Sequence, residues 1–205
     1  MRAVQIISGE HRTLTAVLHG MLFLLRHISY GISRPDFELL GAMLYYIEAF
    51  PERFHHPKED AYLFRLLRVR DPGIAPLLDR LQYEHRLDRA KLKELDAALA
   101  VYRSEGSARL PALYATVAAY AAFHYAHMRA EEDDVFPAAA EYLTAADWDE
   151  IDAAFSGHTD PLFGADAGFE YQEIFRRIVA LAPAPLGAGP ELGSAGSPGA
   201  IKPTT

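Results

Sequence analysis

The sequence contains no cysteine, and its charged residues form no basic block. Without a thiol there is no disulfide, thiolate-bound zinc, iron–sulfur cluster or cysteine nucleophile. The net charge of −8, from 28 acidic and 20 basic residues, argues against a nucleic-acid or membrane partner. Apolar runs such as 21–25 are far shorter than the about 20 residues of a membrane span. Because the N-terminus also lacks a secretory-signal pattern, we expect a cytoplasmic protein.

The periodicity of the apolar residues predicts an all-α fold. At 205 residues and 50% apolar content, the chain has the composition of one globular domain. No alternating pattern exceeds a few residues, whereas apolar positions recur every three or four residues over about 5–30, 36–70, 74–104 and 110–141. Short breaks marked by proline or glycine separate these four segments. They predict an antiparallel up-down-up-down four-helix bundle.

Shorter elements follow the four segments. Thr144 can cap a short helix that ends near Phe155, and a further helical piece is predicted at about 169–181. The last 23 residues hold five prolines and five glycines, so we expect a domain over 1–182 and a disordered tail over 183–205. Pro51 and Pro57 lack a backbone N–H and should kink or interrupt the second segment.

Polar residues occupy positions that the helical pattern reserves for the core. Six of them share this property and carry side chains that bind metals: His11, His55, Glu59, His85, His127 and Glu131. Burying a carboxylate costs several kcal/mol unless a partner compensates its charge, and a metal ion is the usual partner. Each glutamate follows a histidine by four residues, so each pair lies on one helical face.

The heights of these residues along the helices also agree. His11 lies 19 residues before the end of the first segment near Tyr30, and His55 lies 19 residues after the start of the second near Asp36. His85 lies 19 residues before the end of the third segment near Ser104, and His127 lies 18 residues after Arg109, which precedes the fourth. At about 1.5 Å per residue in antiparallel helices, all four sets reach one level. The six side chains are therefore predicted to converge.

Several other residues remain alternatives. His56 and Asp60 form a second pair at ligand spacing, but only His55 and Glu59 match the pattern around His127 and Glu131, where Leu63-Phe64 and Val135-Phe136 follow the glutamates. His124 is either a ligand or a histidine packed behind one. Tyr83 and Glu84 could hydrogen-bond to ligands. The histidines without a carboxylate at ligand spacing are interpreted as ordinary residues: His19, His27 and His158.

Six converging ligands indicate two metal ions. In the natural arrangement both glutamates bridge, two histidines bind each ion, and open positions remain for solvent or dioxygen. Imidazole and carboxylate without thiolate suit iron, and zinc or manganese are alternatives.

The order His, HxxxE, His, HxxxE resembles the hemerythrin-like HHE cation-binding domains over about 5–165. The segments HHPKEDAYLF (55–64) and HMRAEEDDVFP (127–137) carry the resemblance. It implies an antiparallel four-helix bundle with a non-haem di-iron centre on the six residues. It also implies binding or sensing of O₂ or related small oxidants such as peroxide or NO, in a redox or iron stress response.

The chain departs from the oxygen-carrying members of that family at two places. Leu81 and Arg89 stand four residues either side of His85, where those proteins carry a second histidine, and the last motif is HxxxE rather than HxxxxD. One iron thereby loses an imidazole, and the more open site favours redox or peroxide chemistry over oxygen carriage.

The sequence leaves three other functions as alternatives. One is a di-iron oxidase or peroxidase-type enzyme with catalase-like activity. A ferritin-like carboxylate site would need two Glu-x-x-His elements, and only Glu52 with His55 fits that pattern. A helical bundle without a metal would not ordinarily bury two glutamates at one level.

Overall fold

In the computed structural model of this chain, residues 1–50 and 55–156 are described, apart from the side chains of 49 and 50. Within these ranges every regular element is helical, which confirms the all-α prediction. The α-helices are α1 (Arg2–Ser29), α2 (Phe37–Phe50), α3 (His56–Lys58), α4 (Arg65–Arg70), α5 (Ala75–Glu105), α6 (Leu110–Ala130), α7 (Phe136–Tyr142) and α8 (Ala145–Ser156). Several predictions lie outside the described residues: the piece at 169–181, the tail at 183–205, Pro51, Glu52 and His158.

Two turns of π-helix interrupt the predicted α-helical segments. The first, π1, spans Glu59–Phe64 between α3 and α4, and the second, π2, spans Glu131–Val135 between α6 and α7. Short π-helical turns within α-helices are frequent at functional sites. Pro57 lies in the first turn of α3, where its missing N–H is not needed for helical hydrogen bonding.

Hydrogen bonds near the helix ends show how α1, α5 and α6 run. Arg26, near the end of α1, bonds to Tyr114 at the start of α6, whereas His11 bonds to Glu132 beyond the end of α6. These two helices are therefore antiparallel. Gly106 ends α5 at a φ of +80°, a conformation that favours glycine, and the chain turns back into α6. Helix α2 contacts both α1 and α5.

The apolar core is divided into two clusters. One lies among α1, α2, α5 and α6 and includes Leu18, Met21 and Leu95. The other joins the start of α1 to π1, α4, α5, α7 and α8, and includes Ile7 and Phe64. Burial of each large apolar side chain contributes about 1.5–3 kcal/mol. Along α1 the sequence passes from Ile7 in the second cluster through a buried histidine to the first, so a polar layer lies between the two.

Helix α8 closes the end of the molecule that holds the second cluster. Asp152 accepts a hydrogen bond from the backbone N–H of Ala3, at 2.6 Å. Thr144 caps the helix as predicted: its Oγ lies 3.3 Å from the N–H of Asp147, whose Oδ2 accepts from the N–H of Thr144 at 2.8 Å. Hydrogen bonds from Arg70 and Thr144 hold the pKa of Asp147 well below its usual range.

Among the described helices, none combines the length and the apolar character that crossing a membrane requires.

Replacing Thr144 with alanine should remove this cap and lower the free energy of unfolding by about 1 kcal/mol. Thr144→Ser keeps the hydroxyl and should stay close to the wild type. Urea unfolding followed by circular dichroism measures both. If serine destabilises as much as alanine, the cap is not the stabilising interaction.

Candidate metal centre

The six predicted side chains meet in the polar layer between the two apolar clusters. All six are between 0% and 7% exposed. The Nε2 atoms of His11 and His55 lie 3.2 Å apart, and those of His85 and His127 lie 3.0 Å apart. The structure thus brings together two histidine pairs, each drawn from two different segments of the chain.

The two glutamates lie between these pairs. Glu59 places Oε1 3.2 Å from His55 Nε2 and Oε2 3.6 Å from His85 Nε2. Glu131 places Oε2 3.2 Å from His11 Nε2 and Oε1 3.2 Å from His127 Nε2. Each carboxylate therefore directs one oxygen to each histidine pair.

This arrangement produces two groups of four donors that share both glutamates. One consists of His11, His55, Glu59 and Glu131; the other consists of Glu59, His85, His127 and Glu131. Within each group the ligand atoms lie within 4.8 Å of one another, so each group could hold a metal ion.

The buried glutamate oxygens fit a bound cation. Neither oxygen of Glu59 and neither oxygen of Glu131 accepts a hydrogen bond from the described residues. A buried carboxylate without such partners is costly, and a metal ion held by both oxygens would remove that cost. The donor set of imidazole nitrogen and carboxylate oxygen suits a first-row transition metal.

A second set of carboxylates holds the four histidines from behind. Every histidine directs Nε2 to the centre and Nδ1 to an acidic side chain at 2.7–3.1 Å. The pairs are His11 with Glu132, His55 with Glu10, His85 with Asp60, and His127 with Glu84. An Nδ1–H donated to a carboxylate fixes the ring and leaves Nε2 as the metal-binding nitrogen.

The two π-helical turns place equivalent residues around the centre. Glu59 begins π1 and Glu131 begins π2, and the acid that follows each glutamate bonds to a histidine of another segment. Phe64 stacks on His85 with ring centroids 5.8 Å apart, and Phe136 stacks on His11 at 6.2 Å. The likeness between the two HxxxE segments is therefore a structural repeat around the centre.

The charges of the centre determine the protonation of its histidines. Burial alone would lower the pKa of His127, but Glu131 and Glu84 raise it to about 10. The pKa of His55 is raised well above 6.5, because Glu59 and Glu10 outweigh burial. Burial opposes ionisation of Glu131, yet His127 and His11 hold its pKa well below the usual range. Without a cation, protonated imidazoles compensate the glutamates.

His56 differs from these histidines. Burial and the neighbouring imidazoles, His85 first among them, lower its pKa well below 6.5. Its ring stacks on His85 at 4.0 Å, and together with His85 and His127 it forms a third group of metal-binding side chains. Asp60 bonds to His85 and belongs to none of the donor groups, whereas His55 and Glu59 belong to one group together.

None of the remaining candidates is a member of a donor group. His124 bonds to Asp88 at 3.0 Å and belongs to none of the three groups. Glu84 bonds to a predicted ligand, but to His127 rather than to His85, which follows it in the sequence. Tyr83 is 53% exposed, His19 is exposed, and His27 is half-buried.

Sequence reasoning did not identify Glu10, Glu132 or Asp88, or the role of Asp60. Glu10, Asp60 and Glu132 are each adjacent in the sequence to a predicted ligand, which was the available signal. Adjacent residues on a helix point about 100° apart. Their contact with the centre depends on a histidine from another helix, which spacing within one segment does not reveal.

A pocket of about 510 Å³ leads from the surface to one side of the centre. It is lined by His56, Pro57, Asp60, His85, Arg86 and Arg89. A larger pocket of about 1030 Å³ lies where α1 and α5 end and α6 begins, and no histidine or acidic residue lines it. The smaller pocket can therefore admit a small molecule to His56 and His85.

Metal uptake at pH 7 should release protons. A metal binds neutral imidazole, whereas His127 with a pKa of about 10 is protonated at this pH in the metal-free protein. We expect at least one proton per chain in a weakly buffered anaerobic titration, and tighter binding as the pH rises towards 10. The raised pKa also stabilises the metal-free fold below pH 6.5, and this contribution is lost as the pH rises through about 10. Uptake without proton release would contradict this charge arrangement.

Glu84→Gln should weaken metal binding by about tenfold, because His127 loses the carboxylate that orients its ring. Competition with a chelator measures the affinity. Glu94→Gln, an exposed acid on the same helix, is the matched control and should bind as the wild type does. Equal affinities for the two variants would show that the outer carboxylate has no role.

Comparison with known proteins agrees with this geometry. Neither the curated proteins nor the solved structures provide a match. A family model does match: the hemerythrin HHE cation-binding domain, over residues 2–139. This range contains all six residues of the two donor groups and more than half of the chain. The chain therefore belongs to the hemerythrin HHE cation-binding family, whose domains bind metal cations.

Proposed function

We propose that the chain is a non-haem di-iron protein, built on an antiparallel four-helix bundle, whose centre binds or senses O₂ or a related small oxidant. The observation that carries this proposal is the pair of four-donor groups that share Glu59 and Glu131. His11 and His55 would hold one ion and His85 and His127 the other, with both glutamates bridging.

The charge around the centre favours a metal that changes oxidation state. Four largely enclosed carboxylates, those of Glu10, Glu59, Glu84 and Glu131, balance two divalent ions. Asp60 and Glu132 have side chains 36% and 45% exposed, and they can support the further charge of two trivalent ions. Iron and manganese occur in both the divalent and the trivalent state, whereas zinc remains divalent. Bound iron would supply one-electron redox chemistry and an open coordination position.

The chain itself orients ligands and excludes water. The outer acids fix the imidazoles, and Phe64 and Phe136 cover the histidines on which they stack. The pocket beside His85 is the route for a small ligand, and Arg86 and Arg89 at its wall favour an anionic or polar one. O₂, peroxide and NO are small enough for this route, and a role in the response to oxidants or iron follows from their chemistry.

The ligand assignment is tested by the metal content of purified variants. His85→Ala and Glu131→Ala should each lower bound iron markedly, because each removes a donor from a shared group. His19→Ala and His27→Ala are controls outside the donor groups and should retain two metals per chain. If all four variants retain two metals, the assignment is wrong.

Elemental analysis with an optical spectrum of aerobically purified protein tests the identity of the metal. A di-ferric absorption band supports iron. A colourless protein with two zinc ions would overturn the proposed redox function while leaving the ligand set intact.

A further inference from the structure

A buried polar cluster lies behind His85 and His127, and the metal centre does not use it. Its members are Asp88, Tyr120 and His124, at 0%, 2% and 1% exposure. The Tyr120 hydroxyl donates to Asp88 Oδ1 at 2.7 Å, and His124 Nε2 lies 3.0 Å from the same oxygen. The phenol therefore has a proton acceptor already in place.

Aromatic rings connect this cluster to the centre. The rings of Tyr120 and His124 have centroids 4.5 Å apart. His124 and His56 are nearly parallel at 6.4 Å, and His56 stacks on His85 at 4.0 Å. A continuous row of buried rings thus leads from Tyr120 to His85, which the proposed function makes a metal ligand.

Among the described residues, the row is found on only one side of a centre that is otherwise built twice. Asp88 follows His85 by three residues, whereas the apolar Leu14 follows His11 by three. His56 follows His55, whereas Met128 follows His127. Because the described residues around His11 and His55 form a donor group without an equivalent of the row, a donor group does not require it. Burying Asp88 and His124 is costly and calls for another role.

We propose that Tyr120 is a redox-active residue that gives one electron to the metal pair. This inference rests on the proposed di-iron function. The O–H bond of Tyr120 breaks, its proton moves to Asp88 Oδ1, and the electron passes along His124 and His56 to His85. Because the proton leaves with the electron, the product is a neutral phenoxyl radical, and no cationic phenol forms in the apolar interior.

Dioxygen supplies the oxidising power for this step. Its reduction to two water molecules consumes four electrons and four protons. The two ferrous ions give two electrons, Tyr120 gives one, and an added one-electron reductant, excess ferrous iron, gives the fourth. Solvent supplies the four protons, and the proton from Tyr120 remains on Asp88.

Rapid freezing after dioxygen is added to the fully reduced, iron-loaded protein tests the proposal. Electron paramagnetic resonance should detect an organic radical at the free-electron position, with hyperfine splittings that narrow when the tyrosines are ring-deuterated. Tyr120→Phe should lose this signal. Tyr125→Phe, a half-buried tyrosine of the same helix outside the row, should keep it.

Asp88→Asn provides a second, nearly isosteric variant. It removes the proton acceptor and should reduce the radical yield without changing the iron content. Zinc-loaded protein should give no radical.

Iron content measured on the same samples separates the two hypotheses. A wild-type protein that binds no iron overturns the di-iron function. A protein with two irons that forms no radical, or that forms the same radical in Tyr120→Phe, overturns the role of Tyr120 and leaves the di-iron function standing. An unchanged radical yield in Asp88→Asn overturns the proton transfer to Asp88.

Discussion

The compensation of two buried carboxylates is the constraint on which the rest of the structure depends. Glu59 and Glu131 are fully buried between two apolar clusters, and their four oxygens accept no hydrogen bond among the described residues. Such a layer is stable only if positive charge occupies it, as protons on the histidines or as cations held by all six side chains. Stability and metal binding are therefore linked. Metal ions and protons compete for the same imidazole nitrogen atoms.

The repeat in the structure explains how four separate segments supply two equivalent halves of the metal centre. The residue after each shared glutamate bonds to the single histidine of another segment. The residue before each single histidine bonds to the histidine of an HxxxE motif. Thus Glu10 serves His55 as Glu84 serves His127. Each π-helical turn begins at its glutamate, so the same local backbone places both shared carboxylates.

Much of this could be predicted from the sequence, because helical spacing and segment lengths are local properties. These properties predicted that six side chains lie at one level, and the structure places them together. The six are His11, His55, Glu59, His85, His127 and Glu131. The π-helical turns were not predicted, since spacing of three and four residues describes an α-helix. Glu10, Glu132, the role of Asp60 and the row behind His85 were missed because their contacts join different helices. Glu84 was a candidate for bonding to a ligand, but its contact with His127, 43 residues away, could not be predicted for the same reason.

The departures from the repeat give the two halves different properties. After His11, Leu14 takes the position that Asp88 takes after His85, and Phe136 stacks on His11 as Phe64 stacks on His85. On the side of His85, the pocket reaches the histidine from the surface and His56 stacks on it from the interior. A small molecule can therefore approach the side of His85, and the buried phenol of Tyr120 lies behind that same side. Two donor groups built from equivalent residues thus have different surroundings.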